Sequence, residues 1–239
     1  MLYQDIFQKI EIVYQDDFII VLNKPSGLTV NRSITQKDGT LQDYVESKFD
    51  FLSKAKASID SEFVSRSGIV HRLDKDTSGL ILVAKDPKSF VNLQSQFRER
   101  EIVKDYLAVV VGKMSEDNMN VAAPIQRNPQ KRMTYAVVAK GKPAETRIAR
   151  IKELKLEDSI FTLVTASPKT GRTHQIRVHL FALNIPVACD RVYSSKKQFE
   201  LSSLYFNRLM LHAYKISFIH PKTKHVVDFT CPPSKEFHM

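Results

Sequence analysis

The segment His71-Arg72-Leu73-Asp74-Lys75-Asp76-Thr77-Ser78-Gly79 sets two carboxylates, Asp74 and Asp76, beside the cations Arg72 and Lys75, directly ahead of the apolar run Leu80 to Ala84. Dense polarity against a strand-sized apolar run marks a loop at the edge of a core, where functional side chains concentrate. A carboxylate kept ionised by neighbouring cations suits a nucleophile or a general base. The same residue types also suit an ordinary surface turn capped by Asp, Thr and Ser. A second segment, Gly171-Arg172-Thr173-His174-Gln175-Ile176-Arg177-Val178-His179, opens a helix predicted over 173–183, with Ile176, Leu180 and Leu183 on one face. Helix N-termini attract anions, and Arg172 adds charge there. Arg177 lies one turn further on, beside Ile176 and Leu180, so its guanidinium is expected to be partly buried and to need a carboxylate, for which Asp74 is the candidate. A solvated basic first turn is the alternative.

Other candidates carry weaker signals. In Lys104-Asp105-Tyr106-Leu107-Ala108, strand alternation sends Tyr106 to the face opposite Asp105 and Leu107. A lone strand tyrosine is usually core or rim; its functional reading is a ring that stacks on a base. The turn Arg127-Asn128-Pro129-Gln130-Lys131-Arg132 offers phosphate contacts or is simply a solvated loop. His71, His174, His179, His212 and His220 fall in or near these polar segments, yet His174 and His179 are five residues apart and face different ways, whereas a zinc helix uses a spacing of four with a carboxylate between. No metal site is predicted. Cys189 and Cys231 show no metal or disulfide spacing and read as reduced thiols.

The elements that position these residues follow from periodicity. Glu11 to Leu22 reads as two short strands around an Asp-Asp turn, broken by Asn23-Lys24-Pro25-Ser26-Gly27. Thr40 caps a helix carrying Leu41, Tyr44, Val45 and Phe49; residues 53–68 read as a loose connection. Gly79 to Lys85 is a buried strand, and Asp86-Pro87 opens a helix with Phe90, Leu93 and Phe97. Strands follow at 104–111, 142–151, 159–166 and 209–219. The mixture is α+β with a large sheet. Composition agrees with one globular domain over 1–239, its core about 11–233: 239 residues, 43% hydrophobic, 26% charged. The longest apolar runs are strand-sized, far short of a membrane span, and residues 1–10 lack the pattern of a signal or transit peptide, so a cytoplasmic address is expected. A net charge of +10 favours a polyanionic partner, nucleic acid ahead of a membrane surface.

Taken in order, Asn23 to Leu28, His71 to Asp74 with Thr77 to Leu80, Lys104 to Gly112, Gly141 to Thr146, Gly171 to His179, Leu211-His212-Ala213 and His220-Pro221 resemble the motifs of the RluA-type family of RNA pseudouridine synthases, from about residue 11 to about residue 233. The resemblance implies the pseudouridine synthase fold, a large mixed, mostly antiparallel sheet flanked by helices and loops around a basic cleft. It also implies isomerisation of uridine to pseudouridine in rRNA or tRNA, without a cofactor. Asp74 matches the family's catalytic aspartate, Tyr106 the tyrosine that packs on the target base, and Arg177 the arginine that pairs with the aspartate. Arg72 matches an arginine that holds the flipped-out conformation; His71, Arg172, Lys131 and Arg132 are expected to contact RNA as well. One departure stands out: Pro186-Val187-Ala188-Cys189-Asp190 replaces the Gly-Asp that commonly follows this helix in the family, so a different local turn is expected, without loss of catalysis. The stretch before Ile10 leaves no room for the small S4 RNA-binding domain of many relatives, which would put substrate capture on the catalytic domain. A monomer is expected.

The chemistry itself requires that the C1′–N1 bond break, the uracil turn and C5 bond to C1′. Asp74 would act either as nucleophile at C1′ or as the base that removes the C2′ proton. Two other classes use the same residue types: a non-catalytic RNA-binding protein, giving salt-dependent affinity without turnover, and a glycosidase, in which water would release free uracil.

Overall fold

The computed structural model describes residues 2–34, 36–52 and 61–238. Its helices are α1 (Leu2–Phe7), α2 (Leu41–Lys48), α3 (Ser61–Ser65), α4 (Pro87–Glu99), α5 (Gln175–Ala182) and α6 (Lys196–Ser203), with a 3-10 turn at Lys235–His238. The strands are β1 (Glu11–Gln15), β2 (Ile19–Lys24), β3 (Ser78–Ala84), β4 (Val103–Val111), β5 (Asn118–Ala122), β6 (Ile125–Arg127), β7 (Tyr135–Val137), β8 (Glu145–Leu156), β9 (Ser159–Pro168), β10 (Leu211–Ile219) and β11 (Val226–Thr230). This is the expected α+β class, a large, mostly antiparallel sheet with few helices. None of the described helices is long and apolar enough to cross a membrane. The chain forms two compact units, Met1–Val103 with Lys215–Cys231 and Lys104–Tyr214 with Pro232–Met239. No shift of composition marks that division.

In the first unit β2 pairs antiparallel with both β1 and β3, joining Lys24 to Gly79 and Leu22 to Ile81. β3 is buried along its whole length, as its unbroken apolar sequence requires. Asp16 shapes the β1–β2 turn: one carboxylate oxygen accepts the amides of Phe18 and Ile19 at 2.7 and 2.8 Å. The other accepts from His220 Nε2 at 2.9 Å, while His220 Nδ1 accepts the amides of Lys222 and Thr223. One imidazole thus fixes the β10–β11 turn to the β1–β2 turn. Asp86 caps α4 through the Ser89 amide, with Pro87 at the first helical position. Thr40 and Asp43 form a reciprocal capping box on α2. The core beneath holds Ile19, Val21, Phe63, Leu80, Leu82, Phe90, Leu93 and Phe218. Phe63 belongs to α3, so part of the stretch read as a loose connection is helical; residues 53–60 lie outside those described.

In the second unit the order is β4-β9-β8-β5, all antiparallel, with β6 and β7 as a separate hairpin. The core is built from Ala108 to Val111 of β4, Phe161 and Val164 of β9, Ile176 and Leu180 of α5, and Phe206 and Met210. β8 starts at Glu145, three residues later than the pattern places it, because Lys142 pairs with Ile125 through two bonds of 2.9 Å. Gly141 sits against that pairing, where a Cβ would meet the Ile125 and Pro124 backbone at under 3 Å. The side chains of Cys189 and Cys231 are both buried.

Candidate active site

Asp74 lies half-buried in the loop that feeds β3, between the exposed side chains of Arg72 and Lys75. The neighbouring Asn23–Leu28 segment holds this loop. Lys24, fully buried, donates from Nζ to the carbonyls of Pro25 at 2.9 Å, Leu28 at 2.8 Å and Lys75 at 2.9 Å. The Lys75 carbonyl also accepts the Gly27 amide at 2.9 Å, from a glycine at φ +86°, a region costly for other residues. Ser26 Oγ donates to the Asp76 carbonyl at 2.7 Å, and the Thr77 amide to the Asp74 carbonyl at 3.2 Å. Each residue from Asp74 to Thr77 is therefore fixed through its main chain. His71 belongs to the same frame: Nε2 accepts the Leu82 amide at 3.0 Å and its ring stacks on Phe97 with centroids 4.7 Å apart.

In the second unit a polar web seats α5. Gln175 Nε2 donates to the Glu145 carbonyl at 3.0 Å and to Thr146 Oγ1 at 2.9 Å, while Oε1 accepts from Thr170 Oγ1 and the Arg172 amide. The His179 ring bridges Thr146 Oγ1 at 2.9 Å and the Ala123 carbonyl at 3.0 Å, and burial pulls its pKa below 6.5. The Gly141–Thr146 motif therefore serves as the shelf on which the Gly171–His179 motif rests. The helix begins at Gln175 rather than Thr173, with His174 in left-handed backbone at φ +56°. Arg172 turns back to donate from Nε to the Pro143 carbonyl at 3.1 Å.

Arg177 is buried, as expected, and the sequence reading missed one carboxylate that meets it. Asp190, 1% exposed, accepts Nε at 2.7 Å and Nη2 at 2.8 Å. Its Oδ1 also accepts the amides of Val192 and Tyr193, and the Tyr193 ring lies 5.1 Å from the guanidinium carbon. The preceding Cys189 stands at φ +56°, a left-handed backbone conformation that glycine adopts most easily.

Tyr106 is half-buried on β4, opposite Ala166 of β9, and packs against the second unit's core. Asp105 points the other way and accepts from Ser167 Oγ at 2.5 Å. Lys104 shares the face of Tyr106, and burial lowers its pKa below the usual lysine range. Lys131 and Arg132 are exposed between β6 and β7. Their turn is braced by Asn128 Oδ1, which accepts the Gln130 and Lys131 amides. Arg127 donates to the Arg132 carbonyl at 2.8 Å. The first unit thus presents an aspartate beside exposed cations, and the second a tyrosine, a buried arginine and an exposed basic turn, each set suited to contact with a polyanion.

The family model for RNA pseudouridylate synthase matches residues 18–182. The chain is 37% identical over 223 residues to an RNA pseudouridine synthase of Bacillus subtilis, covering 93% of this chain and 69% of that protein. It is 36% identical over 226 residues to ribosomal large subunit pseudouridine synthase D of Nitrosomonas europaea, covering 93% of this chain and 62% of the relative. This chain accordingly spans between 62% and 69% of the length of those two relatives. Among solved structures it is similar to human RNA pseudouridylate synthase domain containing 1, with a TM-score of 0.73 and 26% identity over 95% of this chain and 84% of the other. The chain belongs to the RNA pseudouridine synthase family.

Three outcomes follow from these contacts. Lys24→Met removes the donor that three carbonyls share, leaving that of Lys75 the Gly27 amide, and should lower unfolding free energy by about 3 kcal/mol in denaturant titration. Asp190→Ala leaves the Arg177 guanidinium without its bidentate partner and should cost about 3–5 kcal/mol, of which Arg177→Met in the same chain restores a part. For His179, the folded pKa lies below the unfolded one, so its contribution is complete above pH 6.5 and is lost as pH falls below that value. Melting temperatures between pH 8 and pH 5 should decline below about 6.5, less steeply in His179→Gln.

Proposed function

We propose that this protein converts uridine to pseudouridine in RNA, with ribosomal RNA of the large subunit as the first substrate class. The observation that carries the reading is the family match over residues 18–182, which takes in Asp74, Tyr106 and Arg177 together. The relative named for the large ribosomal subunit supports the choice of RNA. A net charge of +10 supports a polyanionic substrate, bound through Arg72, His71, Arg172, Lys131 and Arg132. His71 contributes by holding the loop from which Arg72 projects.

Asp74 acts on the ribose, as nucleophile at C1′ or as base at C2′; in either case the C1′–N1 electron pair leaves with the uracil. Tyr106 stacks on the detached ring, which turns so that C5 bonds to C1′ and releases its proton. Arg177 supplies positive charge, which offsets the desolvation of a carboxylate. Taking a paired uridine out of its stem costs a few kcal/mol, offset by Arg72 and by stacking on Tyr106. The reading takes the protein as a cytoplasmic monomer that needs no cofactor.

Tritium release from [5-³H]uridine-labelled 23S rRNA and tRNA transcripts tests this, because C5 loses its hydrogen only when the new carbon–carbon bond forms. Wild type should release tritium from the rRNA, and Asp74→Asn should release none while binding the same RNA. Binding without release from either RNA would replace the reading with a non-catalytic RNA-binding protein, and free uracil would replace it with a glycosidase.

A further inference from the structure

We propose that Tyr193 is a positioning residue that fixes Arg177 and couples it to the β6–β7 hairpin, so that RNA held at Lys131 and Arg132 steadies the guanidinium. The inference rests on the reading of the site given above. Arg177 is met by two groups from one turn: the Asp190 carboxylate at 2.7 and 2.8 Å, and the Tyr193 ring at 5.1 Å. The carboxylate fixes two guanidinium nitrogens, and the ring restricts tilt of the plane.

A phenylalanine would fill the same space, so the hydroxyl of Tyr193 has a separate use. It accepts the Tyr135 amide at 3.0 Å and bonds to His174 Nδ1 at 2.8 Å. It therefore joins β7, the cap of α5 and the Asp190 turn at one oxygen. The His174 ring sits edge-on to both tyrosines, with centroids 5.6 Å from Tyr193 and 5.7 Å from Tyr135. Tyr135 in turn carries the Arg127 guanidinium at 5.4 Å over its ring, and Arg127 holds the Arg132 carbonyl at 2.8 Å. A continuous set of contacts thus runs from Asp190 to the exposed basic turn.

The hairpin needs such an anchor. β6 and β7 are three residues each and, beyond the Ile125–Lys142 bridge at the base, form a sheet with one another among the described residues, and a two-stranded hairpin this short gains little stability from its own pairing. RNA phosphates that order Lys131 and Arg132 would also order Tyr135, and through its amide the Tyr193 ring under Arg177. By reciprocity, a firmly seated Tyr193 raises the affinity of the hairpin for RNA.

A double-mutant cycle on affinity for a 23S rRNA transcript tests the coupling. Tyr193→Phe keeps the ring and removes the hydroxyl. It should weaken binding about fivefold, the equivalent of one lost hydrogen bond, and lower the single-turnover rate by less than the loss of the whole ring does. Lys131→Ala with Arg132→Ala should weaken binding further, and adding Tyr193→Phe to that pair should cost nothing more, because the hydroxyl acts through the hairpin. Tyr193→Leu, which removes the ring as well, should lower the single-turnover rate more than tenfold. Hydrogen exchange at the Tyr135 amide should accelerate in Tyr193→Phe, a readout that survives if Tyr193→Leu fails to fold. Additive losses, an unchanged Tyr135 amide, a wild-type rate in a folded Tyr193→Leu, or a wild type that does not bind the transcript would each overturn the proposal. The binding arm requires no turnover, so a wild type that binds but does not isomerise overturns the proposed activity while the cycle still decides the coupling.

Discussion

A guanidinium taken out of water must have its charge and its donors met where it lies, or the fold loses several kcal/mol. At 5% exposure Arg177 imposes that condition on the second unit. Asp190 must stand beside it, so the chain after α5 must turn sharply enough to bring residue 190 back to residue 177. The same carboxylate organises that turn by accepting two of its amides. The helix that carries Arg177 must not rotate, and Gln175 and His179 prevent it by bonding to Glu145, Thr146 and Ala123 on one side of α5. Neutral His179 suits this place, since a second buried cation near Arg177 would cost more than its hydrogen bonds return.

The first unit solves its positioning problem with main-chain bonds. The residues from Asp74 to Thr77 form no regular element, yet the Lys75 and Asp76 carbonyls accept from Lys24, Gly27 and Ser26, and the Asp74 carbonyl accepts the Thr77 amide. A buried lysine that donates to three carbonyls makes an irregular loop as determinate as a strand. Pairing of Lys24 with Gly79 adds register, so the start of the loop's frame and the first residues of β3 are fixed together. Side chains such as Arg72 can then remain exposed without loosening the aspartate two residues away.

What could be read beforehand followed local physics. β2, β3 and β4 announce themselves as apolar β-branched runs, and α4 by Asp86-Pro87 with Phe90 and Leu93. Helix α1, β5 and β11 escaped: β5 and β11 alternate between exposed and half-buried positions, so no continuous apolar signal exists. Helix α6 did carry a signal, the Ser195 and Gln198 capping box, inside a segment whose apolar content is low. At the site, the residue types of the motifs were legible, as was the burial of Arg177. Asp190 was not, because its pairing depends on a turn thirteen residues away in sequence, which no periodicity encodes. Nor was the service of Lys24, whose partners are carbonyls and leave no trace in residue identity.

Cys189 shows how strongly the turn after α5 is specified. A side chain in left-handed backbone costs about 1–2 kcal/mol relative to glycine, and such strain persists only where the surroundings determine the conformation. Here they do: the Cys189 amide donates to Ser202 Oγ at 2.9 Å, and its Sγ lies 3.1 Å from the Phe206 carbonyl. Ala188 is held on both sides, donating to the Val109 carbonyl at 2.8 Å and accepting from the Met210 amide at 3.1 Å. With Ala188 and Asp190 bonded on either side, residue 189 is held in this conformation, and the thiol's burial and hydrogen bond offset part of the strain. Left-handed backbone at residue 189 is thus held directly beside the carboxylate that meets Arg177.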